Sequence, residues 1–180
     1  ALARQLNGEI IGADSMQIYK YMDIGTAKPD QRERQLAIHH LVDFLDPAHN
    51  FDAKQFTAMA DKIISDIEKR GRLPVVAGGT GLYIRALLHG LFRGKPACPS
   101  TLDKLNQTLE QKGAPELHKQ LEACDPRAAQ KIHPNDGFRI VRALEVFLTT
   151  GAPISDYQDS HNFKSDRYQS LTFGLHMERE

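Results

Sequence analysis

Asp14 stands two residues beyond a short apolar run, Glu9-Ile10-Ile11-Gly12, and opens a dense polar stretch, Asp14-Ser15-Met16-Gln17-Ile18-Tyr19-Lys20-Tyr21-Met22-Asp23-Ile24-Gly25-Thr26-Ala27-Lys28-Pro29. The apolar run reads as a buried strand, so Asp14 falls at its carboxyl end, where open α/β sheets place their ligands. A carboxylate there is a candidate general base; the plain alternative is that Asp14 or Ser15 caps the next turn. A second candidate, Gly78-Gly79-Thr80-Gly81-Leu82-Tyr83, joins an apolar strand to a helix. Thr80 is either an N-cap or a contact residue, and a glycine-led helix N-terminus suits an anionic leaving group. Arg139 and Arg142 form the third group. They lie three apart on a helix whose inner face is Ile140, Leu144 and Phe147, and are expected to leave two guanidiniums free for a partner.

The elements that must position these residues follow from periodicity. Residues 52–70 carry Phe56, Met59, Ala60, Ile63, Ile64 and Ile67 at helical spacing, with Asp52 as cap, Gln55 completing a capping box, Phe51 and Phe56 as a hydrophobic staple, and Gly71 as the stop. Leu73–Ala77 reads as a strand, and Leu82 to His89 as a helix ending at Gly90. The chain opens on helix formers, Ala1 to Leu6, that run into Asn7-Gly8. From Phe92 the character changes: Gly94, Pro96 and Pro99 form a linker, and helical patterns continue to Thr150, the best of them from Asn135 or Asp136 to Gly151. Residues 155–167 read as a polar, turn-rich return, and Tyr168 to His176 alternates like a strand. The expectation is an α/β core with a parallel sheet, residues 1–93 and 167–180, interrupted by an all-helical insertion, residues 94–166.

Composition bounds the partners. The 180 residues carry 23 basic and 23 acidic side chains, so any polyanion must be held by a local patch rather than by net charge. Cys98 and Cys124 lie far apart without a C-x-x-C pairing, which argues against a zinc site or a disulfide and predicts free thiols in a reducing cytosol. No run of about 18 apolar residues is present, and the chain reads as cytoplasmic, with no membrane partner. No metal-binding cluster emerges, and His39-His40 is expected to stabilise structure.

Taken together, the Asp14–Pro29 stretch (D-S-x-Q-x-Y-x-x-M-D-I-G-T-A-K-P), Gly78–Tyr83 (G-G-T-x-L-Y) and His133–Val146 (H-P-N-D-x-x-R-x-x-R-A-L-E-V) resemble the tRNA dimethylallyltransferase, or tRNA isopentenyltransferase, family. Ile38 to Asp43 is similar to that family's P-H-H-L-I-D, with Ile38 in place of the proline. The resemblance spans nearly the whole chain. It implies a P-loop NTPase-like core that transfers a dimethylallyl group from dimethylallyl diphosphate to N6 of the adenosine next to the anticodon, releasing diphosphate.

By the same resemblance Asp14 accepts the amine proton, Ser15, Met16 and Gln17 help hold the base, and Thr80 lies near the reacting amine. Phe138, Arg139, Ile140, Val141 and Arg142 face the tRNA anticodon stem-loop, with Gly79, Arg85 and Lys28 as weaker diphosphate contacts. The family's G-x-T-x-x-G-K-T loop, which would cradle diphosphate and place Mg²⁺, lies outside this sequence, as do its C-terminal helices. The stretch alone is therefore expected to be inactive and to hold no metal by itself; a monomer is expected. Leu102 stands near a position where relatives often carry a basic residue. Competing readings are a P-loop small-molecule kinase, a prenyltransferase of free adenine nucleotides, which the helical insertion disfavours, and a catalytically idle RNA-binding fragment.

Overall fold

The structure, a computed structural model, describes residues 2–91, 98–161, 163, 165–176 and 178; the expected boundary at residues 93 and 94 and most of the linker lie outside them. A short helix α1 (Leu2–Gln5) leads into strand β1 (Gly8–Gly12), followed by helix α2 (Gln31–Leu36), strand β2 (His39–His40), helix α3 (Ala53–Lys69), strand β3 (Leu73–Ala77) and helix α4 (Gly81–His89). After the linker come α5 (Pro99–Lys112), α6 (Ala114–Cys124), α7 (Pro126–Lys131), α8 (Gly137–Thr150) and α9 (Ile154–His161). The chain forms two compact units, residues 1–91 with 165–180 and residues 92–164.

In the first unit β1 is the central strand of a parallel sheet ordered β2-β1-β3, with Ile10 opposite both His39 and Val75 and Gly12 opposite Ala77. Parallel neighbours end on the same side, so the loops leaving β1 and β3 emerge together. Helix α3 starts where the sequence places it: the Asp52 carboxylate accepts from the Gln55 amide, and the Gln55 side chain accepts from the Asp52 amide. Its apolar face is buried through Phe56, Ala60, Ile64 and Ile67. The Phe56 ring stacks on Tyr83 of α4 with centroids 4.6 Å apart, and Phe51 meets the same tyrosine edge-on. This aromatic group fixes α4, and with it the turn that carries Thr80.

Glu9 on β1 is fully buried, and two guanidiniums and an imidazole surround it. Arg70 binds it through both guanidinium nitrogens, Arg72 donates at 2.9 Å, and His40 Nε2 lies 2.7 Å away. Hydrogen bonding from Arg70 foremost, with His40 and Arg72, overcomes burial and holds this carboxyl at a pKa of about 2. The histidine pair thus works in the sheet, tying β2 to β1.

Two local expectations are corrected, and one helix is added. Residues 154–161 form a helix: Asp125 accepts from the buried Ser155 amide (3.0 Å) and hydroxyl (2.7 Å), and Arg127 pairs with Asp156 and Asp159, so tertiary anchoring overrides the polar, turn-like composition. Residues 168–176 form no strand; Leu171, Phe173 and Leu175 are 81%, 73% and 100% exposed, because alternation makes a strand only where a neighbour pairs with its backbone. Helix α2 was not anticipated, although Asp30 and Glu33 spell out its capping box. No helix among the described residues is long and apolar enough to cross a membrane.

The second unit packs its helices around Leu105, Leu117, Leu121, Ile140 and Leu144. Leu102 packs against that cluster, which accounts for an apolar side chain at this position.

Candidate functional site

The loops leaving β1 and β3 are bonded to each other. The Ala13 amide donates to the Ala77 carbonyl (2.8 Å), and the Thr80 amide donates back to the Ala13 carbonyl (3.0 Å). Between them lies Gly78, where a Cβ would stand 2.3 Å from the carbonyl carbon and oxygen of Ala13; only glycine allows the two chains this close. Asp14 and Thr80, 66 positions apart in sequence, become neighbours through this contact.

Thr80 occupies the N-cap position of α4 yet makes no side-chain cap. Its hydroxyl instead accepts from the Ser15 amide at 2.8 Å and donates to the Ser15 hydroxyl at 3.2 Å. The capping alternative is thereby excluded for Thr80, whose oxygen keeps one lone pair unused by these two bonds. For Asp14 the plain alternative is half true. Its Oδ1 accepts from the Met16 amide (2.8 Å) and the Gln17 amide (3.2 Å), an Asx-type turn. Its Oδ2 accepts no hydrogen bond among the described residues, and Gly79 presents its backbone beside that oxygen, so that a Cβ there would lie 3.8 Å away. The half-buried Asp14 therefore offers one held and one open oxygen.

Gln17 is a strut. Both of its amide hydrogens reach carbonyls across the loop, those of Thr26 and Ala27, each at 3.0 Å, leaving its own carbonyl oxygen to offer a partner. Met16 is exposed, and Ser15 is half-buried.

Lys28, expected to touch diphosphate, does not reach outward. Its side chain is 3% exposed, and its ammonium donates to the Tyr19 carbonyl (2.7 Å), Asp23 (2.7 Å) and Asp43 (2.9 Å), which engages all three of its hydrogens. Burial would lower its pKa, but the hydrogen bonds to Asp23 and Asp43 outweigh this and hold it above the ordinary lysine value. Asp43 also takes Arg34 at 3.0 Å. Around this knot Tyr21, Ala27, Leu41 and Asp43 have left-handed φ angles of 66°, 51°, 56° and 57°. Such angles persist in non-glycine residues only where surrounding bonds over-determine the backbone. Arg85 is exposed on α4, one turn beyond Gly81.

In the helical unit, His133-Pro134-Asn135-Asp136 forms the turn that starts α8, with the Asp136 amide donating to the His133 carbonyl (2.8 Å) and Asp136 Oδ1 capping the Arg139 amide (3.1 Å). Gly151, at φ +76°, ends the helix. Phe138 is 85% exposed, whereas Ile140 and Val141 are buried in the helical core, which corrects their expected role as direct partner contacts. The expectation of free guanidiniums is corrected as well. Arg139 pairs with Asp136 at 3.2 Å, and Arg142 donates to Glu145, whose side chain is 1% exposed. Sequence spacing placed both arginines on one face but passed over these i,i+3 carboxylates.

Comparison with known proteins bears on both units. The family model described as IPP transferase matches residues 17–180. A tRNA dimethylallyltransferase of Desulfosudis oleivorans is 49% identical over all of this chain and 57% of its own length, and one of Geobacter metallireducens is 50% identical over 99% of this chain and 58% of its own. Among solved structures, a tRNA isopentenylpyrophosphate transferase from Staphylococcus epidermidis matches with TM-score 0.56 at 38% identity, over 98% of this chain and 57% of that one. A eukaryotic dimethylallyltransferase acting on tRNA matches with TM-score 0.72 at 34% identity, over 88% of this chain and 39% of that one. The chain thus spans little more than half the length of the curated relatives it matches, and its α/β core has the P-loop-like fold of the solved neighbours. By the extent of the match and the identity over its whole length, this chain belongs to the IPP transferase family.

Proposed function

We propose that the protein containing this chain transfers a dimethylallyl group from dimethylallyl diphosphate to N6 of the adenosine next to the anticodon in tRNA, and releases diphosphate. The observation that carries this reading is the pair of acceptors where the β1 and β3 loops meet: Asp14 Oδ2, which accepts no hydrogen bond among the described residues, and the remaining lone pair of Thr80, coupled through Ser15. An exocyclic –NH₂ has two hydrogens to donate, and two acceptors suit it. As N6 attacks the allylic carbon, the new C–N bond replaces the C–O bond to diphosphate, which leaves with the electron pair. The amine proton, acidic only once that bond forms, passes to Asp14 Oδ2.

The first turn of α4, approached through Gly78 and Gly79, supplies amide N–H groups that favour the departing anion. Arg85 lies one turn further along the same helix. Phe138, Arg139 and Arg142 offer an exposed ring and two guanidiniums, a chemistry suited to unpaired bases and phosphates. An unpaired loop base is the least costly to swing out of its stack. Mg²⁺, when bound, would supply charge stabilisation to the diphosphate. Among the described residues there is no group of three or more His, Cys, Asp or Glu side chains placed to hold a metal ion. The protein is proposed to act as a cytoplasmic monomer.

The test is to incubate the full-length protein with radiolabelled dimethylallyl diphosphate, ATP and unmodified tRNA. Label on the RNA is the expected result. Phosphate transfer from ATP in its place would make the protein a kinase, label on free nucleotide a nucleotide prenyltransferase, and binding alone an RNA-binding protein.

A further inference from the structure

Helix α8 buries a carboxylate where its neighbours are apolar. Ile140, Val141, Ala143, Leu144 and Val146 all lie in the helical core, and Glu145, only 1% exposed, lies among them. Its Oε2 accepts from the Arg142 guanidinium and its Oε1 from the Thr149 hydroxyl (3.3 Å), so the three residues form one stripe along the helix. Stability does not account for this arrangement, since a buried ion pair is often no better than apolar side chains of the same volume. The arrangement does order Arg142. One edge of the guanidinium is fixed to Glu145, while the side chain remains 42% exposed with its other N–H donors directed elsewhere.

We propose that Glu145 is a positioning residue for Arg142, holding the guanidinium in the orientation in which it meets an RNA phosphate or the face of an unpaired base. This rests on the reading above that α8 faces tRNA. An arginine already ordered before binding loses less side-chain freedom when it is captured, and that difference appears as affinity. Thr149 completes the carboxylate's bonding, and Arg142 binds without leaving Glu145 unpaired.

The idea makes a prediction opposite in sign to simple electrostatics. Removing a negative charge beside a polyanion-binding face should tighten binding; removing a positioning carboxylate should weaken it. In the full-length protein, Glu145→Met is expected to weaken tRNA binding about two- to tenfold, the range set by one freed side chain, with Glu145→Gln affected less. The melting temperature should be unchanged or higher. In an Arg142→Ala background, Glu145→Met should have no further effect on binding, and NMR relaxation of the Arg142 Nε–H should report a newly mobile side chain in Glu145→Met without any tRNA present. Unchanged or tighter binding by Glu145→Met, or an equal loss in the Arg142→Ala background, would overturn the proposal. If the wild-type protein binds no tRNA, it is the tRNA reading that fails, and an Arg142 Nε–H equally rigid in both proteins would then dispose of the positioning role as well.

Discussion

The loops of the sheet unit and the face of α8 hold their polar groups in opposite ways. At Asp14 and Thr80 the backbone positions the side chains: Ala13 is bonded to Ala77 and Thr80, Gly78 lets the chains touch, and Asp14 keeps one oxygen outside every hydrogen bond among the described residues. On α8 the side chains position each other: Arg139 is tied to Asp136, and Arg142 to Glu145. A group that must accept a proton works best under-satisfied, whereas a group that must grip works best ordered beforehand. On the proposed reading the first region serves turnover and the second affinity, and the two should be separable by mutation.

The sharpest separation is Asp14→Asn, for which turnover should fall by about 10²- to 10⁴-fold while tRNA affinity stays near wild type, measured by single-turnover labelling beside a binding titration. Wild-type turnover in that variant would remove Asp14 from its role and erase the contrast. Lys28→Met tests whether the knot behind the loop is structural: it removes the cation shared by Asp23 and Asp43, leaving Asp43 only Arg34, and is expected to destabilise the sheet unit by about 1–3 kcal/mol in denaturant titration. A small shift in the midpoint, with diphosphate affinity lost instead, would return Lys28 to the ligand.

Acid addresses the sheet through Glu9. Its folded pKa, about 2, lies below the ordinary 4.5, so its contribution to stability is fully present above about pH 4.5 and is lost as pH falls toward and through 2. The shift corresponds to about 3 kcal/mol, which Glu9→Gln should abolish from the pH dependence of amide exchange at Ile10 and Ile11. The smallest effect belongs to Arg139→Ala. Turnover at saturating tRNA should hold, while the slope of log affinity against log salt becomes shallower by about 0.7–1, the loss of one phosphate contact.

Much of this was legible in the sequence because it depends on local chemistry or on topology. Asp52 and Gln55 cap α3 and Asp136 caps α8 as their spacing predicts, and Asp14 meets Thr80 because parallel neighbouring strands end together. What escaped depends on partners distant in sequence or on which of several acceptors a long side chain selects. Glu9 resembles an ordinary strand glutamate until Arg70, Arg72 and His40 close around it. Lys28 resembles a surface lysine until Asp43 arrives from beyond β2. The polar segment at 154–161 becomes helical only because Asp125 and Arg127 take hold of it. The Arg142–Glu145 pair, three residues apart, was within reach of pattern reading, but burial of the glutamate was not, since an amphipathic pattern assigns charge to the outside.

Strand β1 carries acidic residues in two contrasting electrostatic states. At its entry Glu9 is saturated by two arginines and His40, and just past its exit Asp14 keeps an oxygen that accepts no hydrogen bond among the described residues. With the strand moored at the upstream end and Ala13 tied to Ala77, a replacement from Asp14 onward has little leverage on the sheet's register. Exchanging residues at the exit therefore alters reactivity without unmooring the scaffold, which gives this short strand room to be tuned chemically.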